Sequence, residues 1–210
     1  MTAFALAAPR LVGADLLKLR KRRSLSAVAG VLTVGAAVIT YTVMELQHLA
    51  SPAAHGPAGG IVNVGHGTFL VAALGSVAAA IVGATVGAGD MDAKVYRDLV
   101  VTGRSRRALF LSRIPAGFAF LVPFVAAAYA LAAVAGVVFA GSNPSPSTSL
   151  LVEGGAWAVL TVAVYYLLAV GIACLFASRS DTIGSLLGWQ LALTPILAHI
   201  GSIGIVRELV

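Results

Sequence analysis

The sequence predicts an all-α, polytopic membrane protein, and three observations carry that expectation. Of its 210 residues 59% are hydrophobic and 10% charged, with a mean hydropathy of +0.96, which leaves too little polar surface for a water-soluble chain. Five apolar runs occupy about 24–44, 68–89, 115–140, 156–177 and 183–204, each close to the roughly 20 residues that a crossing helix needs. None contains Asp, Glu, Lys or Arg, as expected where a charge at mid-bilayer costs about 2.5–3.5 kcal/mol. The basic residues alternate with these runs. Arg10, Lys18, Arg20, Lys21, Arg22 and Arg23 precede the first, Lys94, Arg97, Arg104, Arg106, Arg107 and Arg113 lie between the second and third, and Arg179 separates the fourth from the fifth.

Segments 45–67 and 141–155 carry no Lys or Arg. Because loops rich in these residues stay on the cytoplasmic side, the N-terminus, 90–114 and 178–182 are expected inside, and 45–67, 141–155 and the C-terminus outside. Residues 1–210 thus read as one multi-pass domain of a cell (plasma) membrane. The net charge of +6 would suggest nucleic acid in a soluble domain. Here the charges flank apolar spans, so topology and anionic headgroups account for them, KLRKRR at 18–23 included, and no nucleic acid is expected as partner. A single cysteine, Cys174, excludes an intrachain disulfide and a cysteine metal cluster. The opening MTAFALAAPR places apolar residues before basic ones, the reverse of a secretory signal, so the chain is read as mature.

Ahead of the first span, 9–23 reads as a helix with Pro9 in its first turn. Val12, Leu16 and Leu19 follow i, i+4, i+7 spacing, while Arg10, Lys18, Lys21 and Arg22 fall mainly elsewhere on the wheel. Such a segment suits the inner membrane surface; the simpler alternative is a basic flank that only sets topology. In the second span Gly75, Ala79, Gly83 and Gly87 form an i+4 series, and in the third Ala132, Gly136 and Ala140 do the same. Small residues let helix backbones approach in lipid, and packing within the chain is favoured over a dimer seam. Pro123 and Pro195 are kink candidates. The fifth run is the least regular, with Gln190, Pro195, His199, Gly201 and Gly204, and a short helix plus a re-entrant piece is its alternative form.

The segment 90–113, DMDAKVYRDLVVTGRSRRALFLSR, is far more polar than its surroundings and much longer than a tight turn requires. Asp90 and Asp92 sit where a helix would start, complementing its N-terminal dipole. Val95, Leu99 and Val100 would rest on the membrane surface, with Lys94, Arg97, Asp98 and Arg104 toward the cytoplasm, Gly103 breaking the helix, and the chain re-entering the membrane after Arg113.

From Tyr96 to Arg113 the chain, with Arg97, Leu99, Thr102, Gly103, Ser105, Arg106 and Leu109, resembles the permeases of type-2 ABC exporters. That family carries an acidic residue, then G-T-x-R-x-L-L, then P/G-x-S-R and a leucine-rich stretch. Asp90 or Asp92 stands where the family usually has Glu, and Val95 and Tyr96 replace its G-T. The resemblance implies a cytoplasmic amphipathic elbow helix before the first span, here carrying Val12, Leu16, Lys18, Leu19, Lys21 and Arg22. It also implies a coupling helix between the second and third spans, here Asp90, Asp92, Lys94, Arg97, Asp98, Thr102, Gly103 and Arg104. The implied partners are separate ABC ATPase subunits, a second permease subunit and membrane lipids. The family plan has six spans, so either a sixth lies beyond Val210, the favoured expectation, or the chain departs from that plan. No G-x-x-x-x-G-K-[ST] phosphate loop is present, so ATP is expected in the partner and no cofactor in this chain.

Other candidates carry less. His48, His55 and His66 with Glu45 match no metal-ligand spacing. Gln190, His199, Tyr165, Tyr166 and Cys174 do not make the paired ionisable groups that intramembrane catalysis needs, so no enzyme is expected. Trp157 fits an interfacial anchor, and Tyr165, Tyr166 and Phe176 suit packing better than a substrate path. Glu45 and Glu153, at outer helix ends, either attract a cationic substrate or hold the loops in water. Apolar spans lean toward lipid-like or amphiphilic cargo, while the substrate path has no assigned residues. A non-transporting scaffold that docks a cytoplasmic protein is the main alternative. A secondary transporter is disfavoured by the expected lack of buried charge.

Overall fold

A computed structural model describes residues 2–101 and 105–193. Every regular element among them is helical: α1 (Thr2–Lys21), α2 (Arg23–Gly30), a π-turn (Val31–Gly35), α3 (Ala36–Ala50), α4 (Ile61–Asp92), α5 (Tyr96–Val101), α6 (Arg106–Val138), α7 (Thr148–Phe176), α8 (Arg179–Gly188) and a second π-turn (Trp189–Leu193). Four segments are long and apolar enough to cross a membrane, namely Arg23–Ala50, Ile61–Asp92, Arg107–Val138 and Thr148–Phe176. The expected fifth span, 183–204, is described only as far as Leu193; Pro195 and His199 lie outside the described residues.

The first and second long helices overrun the expected spans at both ends, and α6 and α7 overrun theirs at the N-terminal end. At about 1.5 Å per residue, the 32 residues of α4 reach roughly 48 Å, against a hydrocarbon core of about 30 Å. The apolar runs mark only the part suited to acyl chains, whereas capping residues set the true ends. Gly60, with φ of 98°, turns the chain into α4 seven residues before the expected start at Thr68, a backbone region that suits glycine. Ser105, Ser147 and Ser178 cap α6, α7 and α8, each accepting from the backbone N–H three residues on.

Three local expectations are corrected. Pro9 lies inside α1, not in its first turn. Asp90 and Asp92 end α4 and do not start a new helix; Lys94, at φ of 57°, breaks the chain before α5. The third long helix begins at Arg106, so Arg113 lies within it and not in the loop before it.

α4 is the central element and the most buried of the four. Its largest partner is α7, reached through the predicted glycine series. A Cβ at Gly83 would stand 2.5 Å from Ala169 Cβ and 2.9 Å from Tyr166 O, and one at Gly87 would stand 2.5 Å from Ala173 Cβ. The ridge is therefore an intrachain seam, spent on α4–α7 packing. Gly136 of the second series meets Val64 of α4. The π-turn of the first span inserts Thr33 into the core, where its Oγ1 donates to Ala29 O at 2.7 Å and its methyl group lies beside Gly75. Outward faces carry Val31, Ile39, Val134, Leu160 and Leu175, as expected of a surface solvated by lipid.

At the end lacking Lys and Arg, the connection 51–60 is clasped to the end of α6. Gly59 and Gly60 N–H donate to Phe139 O and Gly136 O, both at 2.8 Å. The Asn143 amide donates to Gly59 O at 2.9 Å and Pro57 O at 3.3 Å, and Asn63 donates to Pro57 O at 3.0 Å.

Candidate functional site

The other end of the bundle holds the ion pairs that the described residues form. Arg113, seven residues into α6 and so about 10 Å along it, is 3% exposed. Its Nη2 contacts Asp90 Oδ2 at 2.9 Å, and its Nη1 donates to Gly87 O at 2.8 Å and lies 3.9 Å from Cys174 Sγ. Asp90 Oδ1 lies 3.7 Å from Lys18 Nζ, which is also 3.6 Å from Asp15 Oδ1. Ser112 Oγ donates to Asp15 Oδ2 at 2.7 Å, and Tyr166 Oη donates to Arg113 O at 2.6 Å. Four charges of alternating sign, two acidic and two basic, thus join α1, α4 and α6 with no net charge, and the Tyr166 hydroxyl ties α7 to them.

Local sequence explains why the network forms. Leu109, Arg113, Ala116 and Phe120 share the buried face of α6, so helical periodicity carries Arg113 inward. Gly117 has no side chain, and the fully buried Tyr166 ring fills that space; a Cβ there would collide with the ring. Phe118 packs on the same ring at a centroid distance of 5.2 Å. The guanidinium lies near the C-terminal turns of α4 and α7, where helix dipoles favour a cation. Its fork reaches a carboxylate and a carbonyl together, which suits Arg better than Lys. Beside it, a cleft of about 40 Å³ bordered by Asp15, Lys18, Asp90 and Arg113 has room for a water.

The expectation that the bundle contains no buried charge is therefore overturned. The absence of ionisable residues from the apolar cores of the spans says nothing of their ends, and Arg113 sits where α6 leaves the apolar run. The signal was in the sequence: Arg113 follows Leu109 by four residues and precedes Phe120 by seven, on one helical face.

The residues assigned to coupling part company. Asp90 is in the network, whereas Asp92, Lys94 and Asp98 are exposed. Arg97 lies on the six-residue α5, and Thr102, Gly103 and Arg104 lie outside the described residues. Of the elbow set, Leu19 is buried in the core with Leu16 packed beside it, Val12 is half-buried, and Lys21 and Arg22 are exposed. Lys18 joins Asp90, so the two predicted sets meet through one ion pair. α1 rests on α6, held by Asp15 to Ser112 as well as by its apolar stripe.

The remaining candidates disperse. His48 Nδ1 lies 2.7 Å from His55 O, and His66 is exposed. Among the described residues no three His, Cys, Asp or Glu side chains come together as metal ligands. Tyr166 is core, and Tyr165 packs against it; Trp157, Glu153 and Phe176 are exposed. Gln190 Nε2 donates to Ala73 O at 2.8 Å, tying the second π-turn back to α4. Comparison with protein-family models, with curated proteins and with solved structures finds no match for this chain.

Proposed function

We propose that the chain is the membrane-spanning permease subunit of an ATP-driven exporter, working as a permease pair with two separate ATPase subunits. The observation that carries this reading is the segment 90–113: a polar stretch resembling the type-2 permease pattern, lying between two long apolar helices and presenting exposed Asp92, Lys94 and Asp98 around the short helix α5. In this reading the end bearing Lys and Arg faces the cytoplasm of a cell membrane by the positive-inside rule. Residue 183 onward supplies a fifth span, and α1 serves as the elbow helix. An ATPase would push on α5, and the neutral Arg113–Asp90–Lys18–Asp15 network would pass that push to α1, α4, α6 and α7 as one body.

The direct test reverses the charges of Arg97 and Asp98 together. Transport-coupled ATPase activity in vesicles is expected to fall, with membrane insertion unchanged; unaltered coupling would count heavily against the reading. Co-purification separates it from the scaffold alternative, since an exporter brings down a soluble ATPase and a scaffold some other protein.

A further inference from the structure

A second feature lies at the opposite end, between α3 and α6. Ala37, Tyr41 and Glu45 form an i, i+4, i+8 row on α3, and Leu131, Ala135 and Phe139 form another along α6 and its capping residue. Together they line a groove of about 300 Å³, at the lower limit of the usual ligand-pocket range. Its walls are apolar except near Glu45. Tyr41 Oη is already committed to Asn63 O at 3.0 Å, so it offers that carboxylate nothing. One carboxylate oxygen, Glu45 Oε2, is buried with no hydrogen-bond partner among the described residues. Segments 45–67 and 141–155 contain no Lys or Arg to neutralise it. A buried carboxylate oxygen without a counter-charge is costly, and the described residues at this end include no Lys or Arg.

We infer that this groove binds a single-chain cationic amphiphile, its ammonium head on Glu45 and its hydrocarbon chain along Tyr41 and Ala37. Depth agrees with that chemistry. The 28 residues of Arg23–Ala50 reach roughly 42 Å, exceeding a core of about 30 Å by about 6 Å at each end. Glu45, five residues from the end of α3, sits about 8 Å in, at the boundary of water and hydrocarbon. Ala37 lies about 12 Å deeper along the helix, so the groove runs from a charged mouth into the acyl region. Leu46 and Leu131, both exposed, flank it on the lipid side, so an amphiphile enters from the bilayer. The inference concerns binding and stands apart from the transport reading.

The test places the protein in phosphatidylcholine nanodiscs and measures saturable binding of radiolabelled dodecylamine, with unlabelled dodecylamine, dodecanol and dodecyl sulfate as competitors. The amine is expected to compete and the alcohol and sulfate to fail. Glu45→Gln, which keeps the side chain's shape, is expected to weaken binding at least about tenfold, the effect of losing a contact of about 1.4 kcal/mol. Ala135→Trp, which fills the groove while leaving Glu45 in place, is expected to abolish it. Thermal melting of both variants checks that they fold. Wild-type affinity in Glu45→Gln, equal competition by dodecanol, or no saturable binding, including the case where a second copy of the chain covers the groove, would each overturn the assignment.

Discussion

Replacing Arg113 with methionine keeps much of the side chain's volume and removes its charge and both strong hydrogen bonds, to Asp90 and to Gly87 O. Hydrogen bonds to charged groups contribute about 1.5–3 kcal/mol each, and breaking a buried ion pair from one side costs about 3–5 kcal/mol. Two features moderate the loss. Asp90 is 23% exposed at its side chain, and it keeps Lys18, which is more than half exposed; a pair so open to solvent retains only about 0–1 kcal/mol. A destabilisation of about 3 kcal/mol is expected, which for a chain of this size lowers Tm by roughly 6–12 °C. Cys174, the chain's single thiol, serves as the reporter, because a fluorogenic maleimide reacts as unfolding exposes it. Combining Arg113→Met with Asp90→Asn removes both charges, and the double variant should recover about 2 kcal/mol relative to the sum of the singles. A shift under about 2 °C for Arg113→Met, or strict additivity in the double variant, would refute the claim that this pair joins α4 to α6.

Gly83→Leu drives a side chain into Ala169 and Tyr166 O and should cost about 1–3 kcal/mol or more by forcing α4 from α7. Gly171→Ala, where a Cβ meets nothing within 4 Å, should be neutral or stabilise by up to about 1 kcal/mol, so melting of the two variants separates packing from propensity. Asn143→Ala loses the two amide bonds that Asn143 makes to 51–60 and should cost about 1–2 kcal/mol; hydrogen exchange is expected to rise in 51–60 and stay unchanged at the Arg113 end. Ala177, at φ of 51° between α7 and α8, occupies the left-handed region, which costs a non-glycine residue about 1–2 kcal/mol. Ala177→Gly should therefore raise Tm, and a fall would show that the turn needs the alanine methyl group.

The helical class, with four helices long and apolar enough to cross a membrane, was legible because two local rules favour it. A backbone in lipid must satisfy its own hydrogen bonds, so apolar runs of this length become helices, and the cost of charge at depth confines Lys, Arg, Asp and Glu to the ends. The glycine series at 75, 79, 83 and 87 was legible for the same local reason, since its members must share one helix face. The pairing of residues 90 and 113 was not legible, nor was the joining of residue 18 to both through Asp90. Those contacts depend on the rotation and depth at which separate helices meet, which no single helix contains. The sequence by itself determined that this chain is helical, which stretches suit lipid, and how its positive charge is divided. Only the tertiary structure decided that Arg113 meets Asp90 while Glu45 at the far end finds no counter-ion among the described residues, because the partner of a charge is settled by what the neighbouring helices bring to it.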